Sequence, residues 1–297
     1  MSKLARRATR AGQLITHTVS NLLSREIRLR DFSTMVAWKR VRATLPPVRC
    51  VEDDRADRTR LFEVGGVRTW WPDEYPPEGL DVTWAEVFCP FPPNGHAYEF
   101  GSCQLAPGMW VVDAGSCEGF FVHYALRKGC SVIAVEPLPR LSYCLRKTFR
   151  AEEEAGRVHI VNALLGADIG LGRIDIPHTA FGARSGGDVG EPVPVTTLDA
   201  LMQSERWPGF EFVKMDIEGA EMDAVQGAQR SIARLHPTFS IAVYHDFRNP
   251  ELVRRLLLAP GRPYHIELKG LLRRGPRWVR QILHASPENG QRPRSPA

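Results

Sequence analysis

The 297 residues, 43 % hydrophobic and 25 % charged, suffice for one large α/β domain with appendages or for two small domains, in an ordinary globular balance. No apolar run approaches the ~18–20 residues that span a bilayer, and the basic amino terminus lacks the apolar block and cleavage site of a secretion signal. The formal net charge of +5 collects near the ends (Arg6, Arg7, Arg10, Arg25 and Arg28 early, Arg273, Arg274, Arg277 and Arg280 late) without a nucleic-acid-binding motif. A solvated or anion-facing surface is therefore expected, and no nucleic-acid partner.

Residues 1–60 read as a basic helical extension. Leu14, Ile15, Val19, Leu22 and Leu23 recur at helical spacing, and Phe32, Met35, Val36 and Trp38 predict a second helix, capped by Asp31 or Ser33 and ended by Pro46-Pro47. Packing on the main domain is favoured over a homodimer contact or an amphipathic segment lying on anionic membrane. Glu52 to Arg58 is polar and reads as linker. Residues 61–105 begin with a hairpin, Leu61 to Trp71, turning at Gly65-Gly66. A Pro- and aromatic-rich stretch, Pro72 to Pro93, follows along the entrance side of the main domain; its aromatics either stack on a sugar or ring substrate or are simply packed, and packing is favoured.

Residues 106–285 alternate strand and helix. Met109-Trp110-Val111-Val112 reaches Asp113, then a loop with Gly115 and Gly119, then an apolar helix pattern. That is a strand feeding a helix through a tight turn, as in the first unit of a nucleotide-binding sheet. Ser131 to Val135 is a second strand ending on Glu136, 23 residues after Asp113. An acid there either is solvated or accepts hydrogen bonds from two ribose hydroxyls, and the glycine loop favours the ribose. A helix over Leu138 to Glu154, a strand over Arg157 to Asn162, and short strands at Leu171 to Ile176 and Val193 to Val195 come next. Ala183 to Gly190, with Arg184 and Asp188, is a glycine-rich loop, a substrate lid or a hairpin tip. Phe210 to Met215 is a fourth core strand landing on Asp216, and Glu218 to Leu235 is one helix with acids suited to its positive end. Thr238 to Tyr244 precedes His245-Asp246. A helix (Pro250 to Leu258) and two strands (Tyr264 to Leu268, Trp278 to Leu283) complete the sheet, and residues 286–297 read as a disordered tail.

Val112-Asp113-Ala114-Gly115 with Gly119, and Val135-Glu136-Pro137, resemble the first two motifs of class I S-adenosylmethionine-dependent methyltransferases. Thr197-Leu198-Asp199 followed by Lys214-Met215-Asp216-Ile217-Glu218-Gly219-Ala220-Glu221 resembles the more specific pattern of FkbM-type methyltransferases, over about Pro107 to Asp246. The resemblance implies a Rossmann-like fold with a seven-stranded, mostly parallel sheet and helices on both faces. It also implies S-adenosyl-L-methionine held by Asp113, Gly115, Cys117, Gly119, Glu136, Pro137, Asn162, Ala163 and Asp216, with Asn162-Ala163 against the adenine. The acceptor is then a hydroxyl of a secondary metabolite, sugar or glycolipid. Ser116-Cys117 departs from the Ala-Asn common in the family, so backbone contacts carry more weight there than side chains.

Asp113, Glu136, Asp216 and His245 all fall at strand ends, where open α/β sheets bind ligands. His245 is the expected base, because imidazole titrates near neutral pH; Asp216 orients substrate, holds the histidine or joins a metal. Lys214, two residues before Asp216, is expected to pair with it. Oxygen ligands from Asp216 with Glu218 or Asp246 would suit Mg2+, but no compact ligand set is visible and a metal-free site is favoured. Six cysteines (Cys50, Cys89, Cys103, Cys117, Cys130, Cys144) show no C-x-x-C pair and read as free thiols in a reducing compartment, the cytoplasm by default. Cys117, beside a helix start, is conceivable as a low-pKa nucleophile, although a small packed residue is favoured. The rivals are a non-catalytic cofactor-binding protein used for assembly or membrane docking, and a nicotinamide oxidoreductase, which the Gly115/Gly119 spacing disfavours.

Overall fold

The computed structural model describes Thr18, Ile27 and residues 29–288, apart from 176–183, 186–189, 247 and 276. The elements are α1 (Leu29–Arg42), β1 (Arg49–Asp54), β2 (Thr59–Val64), β3 (Val67–Pro72), α2 (Leu80–Phe88), β4 (Trp110–Ala114), α3 (Phe120–Arg127), β5 (Ser131–Val135), α4 (Pro139–Thr148), α5 (Arg150–Glu154) and β6 (Val158–Val161). They continue with β7 (Leu164–Leu165), β8 (Gly170–Asp175), β9 (Arg184–Ser185), β10 (Glu191–Thr196), α6 (Leu198–Met202), β11 (Phe212–Met215), α7 (Glu221–Gln226), α8 (Gln229–Leu235) and β12 (Thr238–Ala242). Last come α9 (Asn249–Leu258), β13 (Tyr264–Lys269), β14 (Leu272–Arg274), β15 (Arg277–Val279) and β16 (Ile282–Pro287).

The central sheet has seven strands in the order β13-β16-β12-β11-β4-β5-β6. Five neighbours run parallel from β6 to β12, and β16 enters antiparallel between β12 and β13. Alternate residues of the strands feed two apolar layers. Val112, Ala114, Ile133, Val213 and Ile241 pack against Val225, Ile232 and Leu257 of the helices on one face. Val111, Val132, Ala134 and Phe212 pack against Phe121, Val122 and Ala125 of α3 on the other. Burial on both faces is why these strands read as nearly continuous apolar runs. Strand order reverses between β4 and β11, and that reversal opens a cleft beyond their carboxyl ends.

Several boundaries differ from those read in the sequence. Residues 49–54 form β1, an edge strand beside the predicted hairpin; its mostly exposed, charged side chains carry no apolar alternation, so only main-chain pairing reveals it. The helix expected over Glu218 to Leu235 breaks into α7 and α8. Gly227 lies between them, packed so closely that a Cβ there would sit 2.2 Å from the Gly166 carbonyl oxygen. The helix expected over Leu138 to Glu154 likewise divides at Phe149, which is buried. The last core strand is Ile282–Pro287, whereas Trp278 belongs to the small β14–β15 hairpin. Buried His284 and Ser286 interrupt the apolar pattern of that strand, and it extends past the expected start of the tail.

Asp31 and Ser33 lie inside α1 and do not cap it; Asp31 pairs with Arg280 at 3.0 Å, and Phe32 meets Trp278 edge-on at 5.3 Å. The expected helix around Leu14 to Leu23, most of the Ala183 to Gly190 loop and residues 289–297 lie outside the described residues. Among the described residues, no helix is long and apolar enough to cross a membrane.

Candidate active site

The turn after β4 depends on Gly115. Its φ of +74° is one that L side chains rarely adopt, and a Cβ there would stand 1.9 Å from the carbonyl oxygen of Asp216. Bare backbone thus lets the ends of β4 and β11 close together. Two residues on, Cys117 is also left-handed (φ 44°), which aims its N–H at Oε2 of Glu136, 2.9 Å away. The Leu138 N–H donates to the other oxygen, Oε1, also at 2.9 Å. Glu136 therefore faces the glycine loop with both oxygens anchored. Burial pushes its carboxyl up to about 7, more strongly than these two N–H donors draw it down.

A cleft of about 390 Å³ runs from Pro137 and Ala163, past Gly115 and Glu136, to Asp216 and Tyr244. Val135, Leu138, Leu165 and Ile174 give it an apolar wall, and α2 closes one side with Val82, Thr83 and Glu86. An apolar wall beside one fixed carboxylate suits a nucleoside, with ring on the wall and ribose hydroxyls on the acid.

At the far end, Asp216 is a hub. Tyr98 donates its hydroxyl to Oδ2 at 2.9 Å, and the Tyr244 hydroxyl lies 3.5 Å from Oδ1. Nε2 of His96 stands 3.6 Å from Oδ2, and Nε2 of His245 stands 3.6 Å from Oδ1. Burial raises the Asp216 carboxyl, but His96, His245, Lys214 and the Tyr98 hydroxyl together outweigh it and hold the group below its usual range. Behind the hub, Nδ1 of His245 bonds Oε1 of Glu221 at 2.7 Å. Burial lowers the His245 imidazole; that bond and the surrounding carboxylates overcome it and raise it. Glu221 is fully buried, the first residue of α7, and also receives the N–H groups of Ile217 and Gly219 at 3.3 Å.

Glu136, Pro137, Ala163, Gly115, Cys117 and Asp216 all line the cleft. Asp113 does not: it lies beneath the floor, wholly buried, with Oδ1 2.9 Å from Nζ of Lys214. Lys214 consequently pairs with Asp113, its opposite in the β4–β11 register, and not with Asp216 as alternation along one strand suggests. It also donates to the Gly115 carbonyl at 2.7 Å, so it fixes the loop from below. Asn162 lies behind Glu136 and holds the main chain, donating to the carbonyls of Glu136 and Pro137 at 2.8 and 2.9 Å. Gly119 is the left-handed N-cap of α3, packed against Leu145 and Phe149. Burial pushes the Cys117 thiol well above its ordinary value, which contradicts a low-pKa nucleophile. Asp246 turns outward to Arg248 at 3.0 Å and does not join the site. Glu86, His96 and Tyr98 come from the Pro- and aromatic-rich stretch and its flank, where no periodicity or motif marked them.

A doubly wound sheet reversing between β4 and β11, with a cleft at the reversal and an anchored acid at the end of β5, defines the class I Rossmann-like methyltransferase fold. Residues 113–273 match the FkbM methyltransferase domain, and the chain belongs to that family. S-adenosylmethionine is the donor this fold implies. Among solved structures, the FkbM methyltransferase of Methylobacillus flagellatus aligns at a TM-score of 0.47 and 20 % identity, over 68 % of this chain and 47 % of that one. Trm5b of Pyrococcus abyssi aligns at 0.44 and 13 % identity, over 77 % and 56 %. The precorrin-6y C5,15-methyltransferase of Geobacter metallireducens aligns at 0.37 and 14 %, over 62 % and 82 %. This chain spans about half the length of the Methylobacillus protein. No curated protein matches it.

Proposed function

We propose that the chain methylates a hydroxyl of a small-molecule or glycan acceptor: a secondary metabolite, a sugar or a glycolipid. The observation that carries this reading is the single cleft joining Glu136 to Asp216. S-adenosylmethionine supplies an electrophilic methyl group, whose bond to sulfur breaks with its electron pair left on sulfur. Glu136 and the wall around Ala163 hold the nucleoside, while the Asp216 end accommodates the acceptor. Displacement of this kind needs the acceptor oxygen fixed in line and relieved of its proton, and little else from the protein.

Asp216 is the group that the cleft presents to that oxygen, kept ionised and hence able to accept its hydrogen bond. Activation runs through His245, whose Nε2 lies behind Oδ1 of Asp216 and whose Nδ1 is fixed by Glu221. The acceptor gains an ether methyl and releases one proton.

Titration calorimetry with S-adenosylhomocysteine and with NAD tests the donor assignment: binding of the first alone is expected, and binding of NAD alone would overturn it. His245→Ala should keep its affinity for S-adenosylhomocysteine while turnover on a panel of hydroxylated acceptors, read by mass spectrometry, collapses. Unchanged turnover would remove His245 from the reaction.

A further inference from the structure

We propose that Oδ1 of Asp216 and Nε2 of His245 bind one divalent transition-metal cation at the acceptor end of the cleft, with Glu221 holding the imidazole from behind. The inference rests on the reading above and specifies how His245 activates the acceptor: as a ligand to the cation, in place of a free base.

The charge pattern comes first. Three carboxylates, those of Asp216, Glu218 and Glu221, converge on one imidazole. Among the described residues, no lysine or arginine ion-pairs with Asp216 or Glu221; their partners are His96 and His245. The second observation is a polar atom without a partner. The His245 side chain is only 7 % exposed, and its Nε2 makes no hydrogen bond. Such an atom is costly unless something is to occupy the space it faces.

Spacing points the same way. Nε2 lies 3.4 Å from Oε2 of Glu218 and 3.6 Å from Oδ1 of Asp216, too long for good hydrogen bonds. Two donors each at ~2.0–2.2 Å from a shared ion stand roughly 3.0–3.5 Å apart. One ligand atom from each of Asp216, Glu221 and His245 also lies within 4.8 Å of the others. Glu221 is nevertheless the buttress in this set, because its Oε1 is taken by Nδ1 and two backbone N–H groups and its Oε2 by Asn249 at 3.3 Å. A carboxylate behind the distal nitrogen of a ligating histidine fixes its tautomer and strengthens it as a donor. Asp216 lines the cleft, so the remaining coordination positions open toward the acceptor. One imidazole with a carboxylate suits Mn2+ or Zn2+ better than the all-oxygen shells of Mg2+ or Ca2+.

The test uses chelator-treated full-length protein at mildly alkaline pH, without acceptor. Mn2+ binding is followed by electron paramagnetic resonance and Zn2+ binding by calorimetry, with S-adenosylhomocysteine affinity measured on every variant. Wild type should take up one equivalent, His245→Ala none, Asp216→Asn substantially less, and Glu221→Gln roughly 10–100-fold more weakly. Retained S-adenosylhomocysteine affinity shows that the variants are folded. A wild type that binds S-adenosylhomocysteine but neither metal, or binds metal no better than His245→Ala, overturns the cation site and leaves the methyltransferase reading intact. Failure to bind S-adenosylhomocysteine overturns that reading instead, and the Mn2+ titration then decides the cation site alone.

Discussion

Nζ of Lys214 lies 2.9 Å from Oδ1 of Asp113, its opposite in the β4–β11 register, and both side chains are buried, Asp113 beneath the cleft and Lys214 in its lining. The ammonium also sits 5.3 and 5.9 Å from the ring centres of Tyr98 and Phe121. Burial lowers the lysine, but the carboxylates of Asp113 and Asp216 outweigh it and keep it charged. Lys214→Met would leave the Asp113 carboxylate buried without its counter-ion, at a cost of about 3–5 kcal/mol. Chemical denaturation should show that loss, and Asp113→Asn in the same chain should recover part of it. An unchanged unfolding midpoint in Lys214→Met would mean that the pair does not support the fold.

Gly115 fixes the distance between the two halves of the site. A methyl group there would overlap the Asp216 carbonyl and also require a side chain at positive φ. Gly115→Ala should therefore destabilise the protein and weaken S-adenosylhomocysteine binding together. Gly66, in the β2–β3 turn, has the same φ of +74° but nothing within 4 Å of an added Cβ. Gly66→Ala thus measures the backbone strain alone, and calorimetry on both variants separates strain from collision. Equal losses in the two would refute the role given to close approach.

On the proposed reading, in which Glu136 holds the ribose, donor binding depends on pH. Its carboxyl stands at about 7 in the folded protein, above the ordinary 4.5, because burial disfavours the charge. The folded state therefore holds a proton that the unfolded chain has released between these values, and this group's contribution to stability falls as pH rises through that window. An ionised carboxylate accepts from two ribose hydroxyls, so binding should draw the proton off. Affinity for S-adenosylhomocysteine should rise with pH up to about 7 and then level, with proton release below 7 detectable in buffers of different ionisation enthalpy. Glu136→Gln should bind weakly and lose both effects. A wild-type profile flat across this range would separate Glu136 from the ribose.

The inner strands of the sheet are legible in the amino-acid order because they are buried on both faces, β4, β5, β11 and β12 above all. The acid at the end of β5 could be located from spacing alone, since both belong to one local βαβ unit. Side chains that meet from distant segments were not legible. Lys214 looked bound for Asp216 because alternation relates residues along a strand, whereas its partner is set by register with β4. His96 and Tyr98 reach Asp216 from a loop 118 residues away in the case of the tyrosine, and no periodicity describes a loop. The cluster around His245 was equally hidden: Glu221 looked like a helix-dipole acid, and it is one, yet the same carboxylate holds Nδ1 of His245.

Tyr98 offers a test of the hub that spares the packing around it. Its ring meets Phe121 at 5.3 Å and His96 at 5.2 Å, while only its hydroxyl touches Asp216. Tyr98→Phe keeps the ring and removes one hydrogen bond to a carboxylate, an interaction worth about 1.5–3 kcal/mol. That bond is among the influences holding the Asp216 carboxyl low, so its loss must move the group upward. The proposed function has the ionised form facing the acceptor, so the acid limb of the turnover profile should shift to higher pH. S-adenosylhomocysteine affinity, governed at the other end of the cleft, should stay as it was. An acid limb that does not move would show that Asp216 ionisation does not govern turnover. A matching loss of donor affinity would show that Tyr98 shapes the whole cleft and not the acceptor end alone.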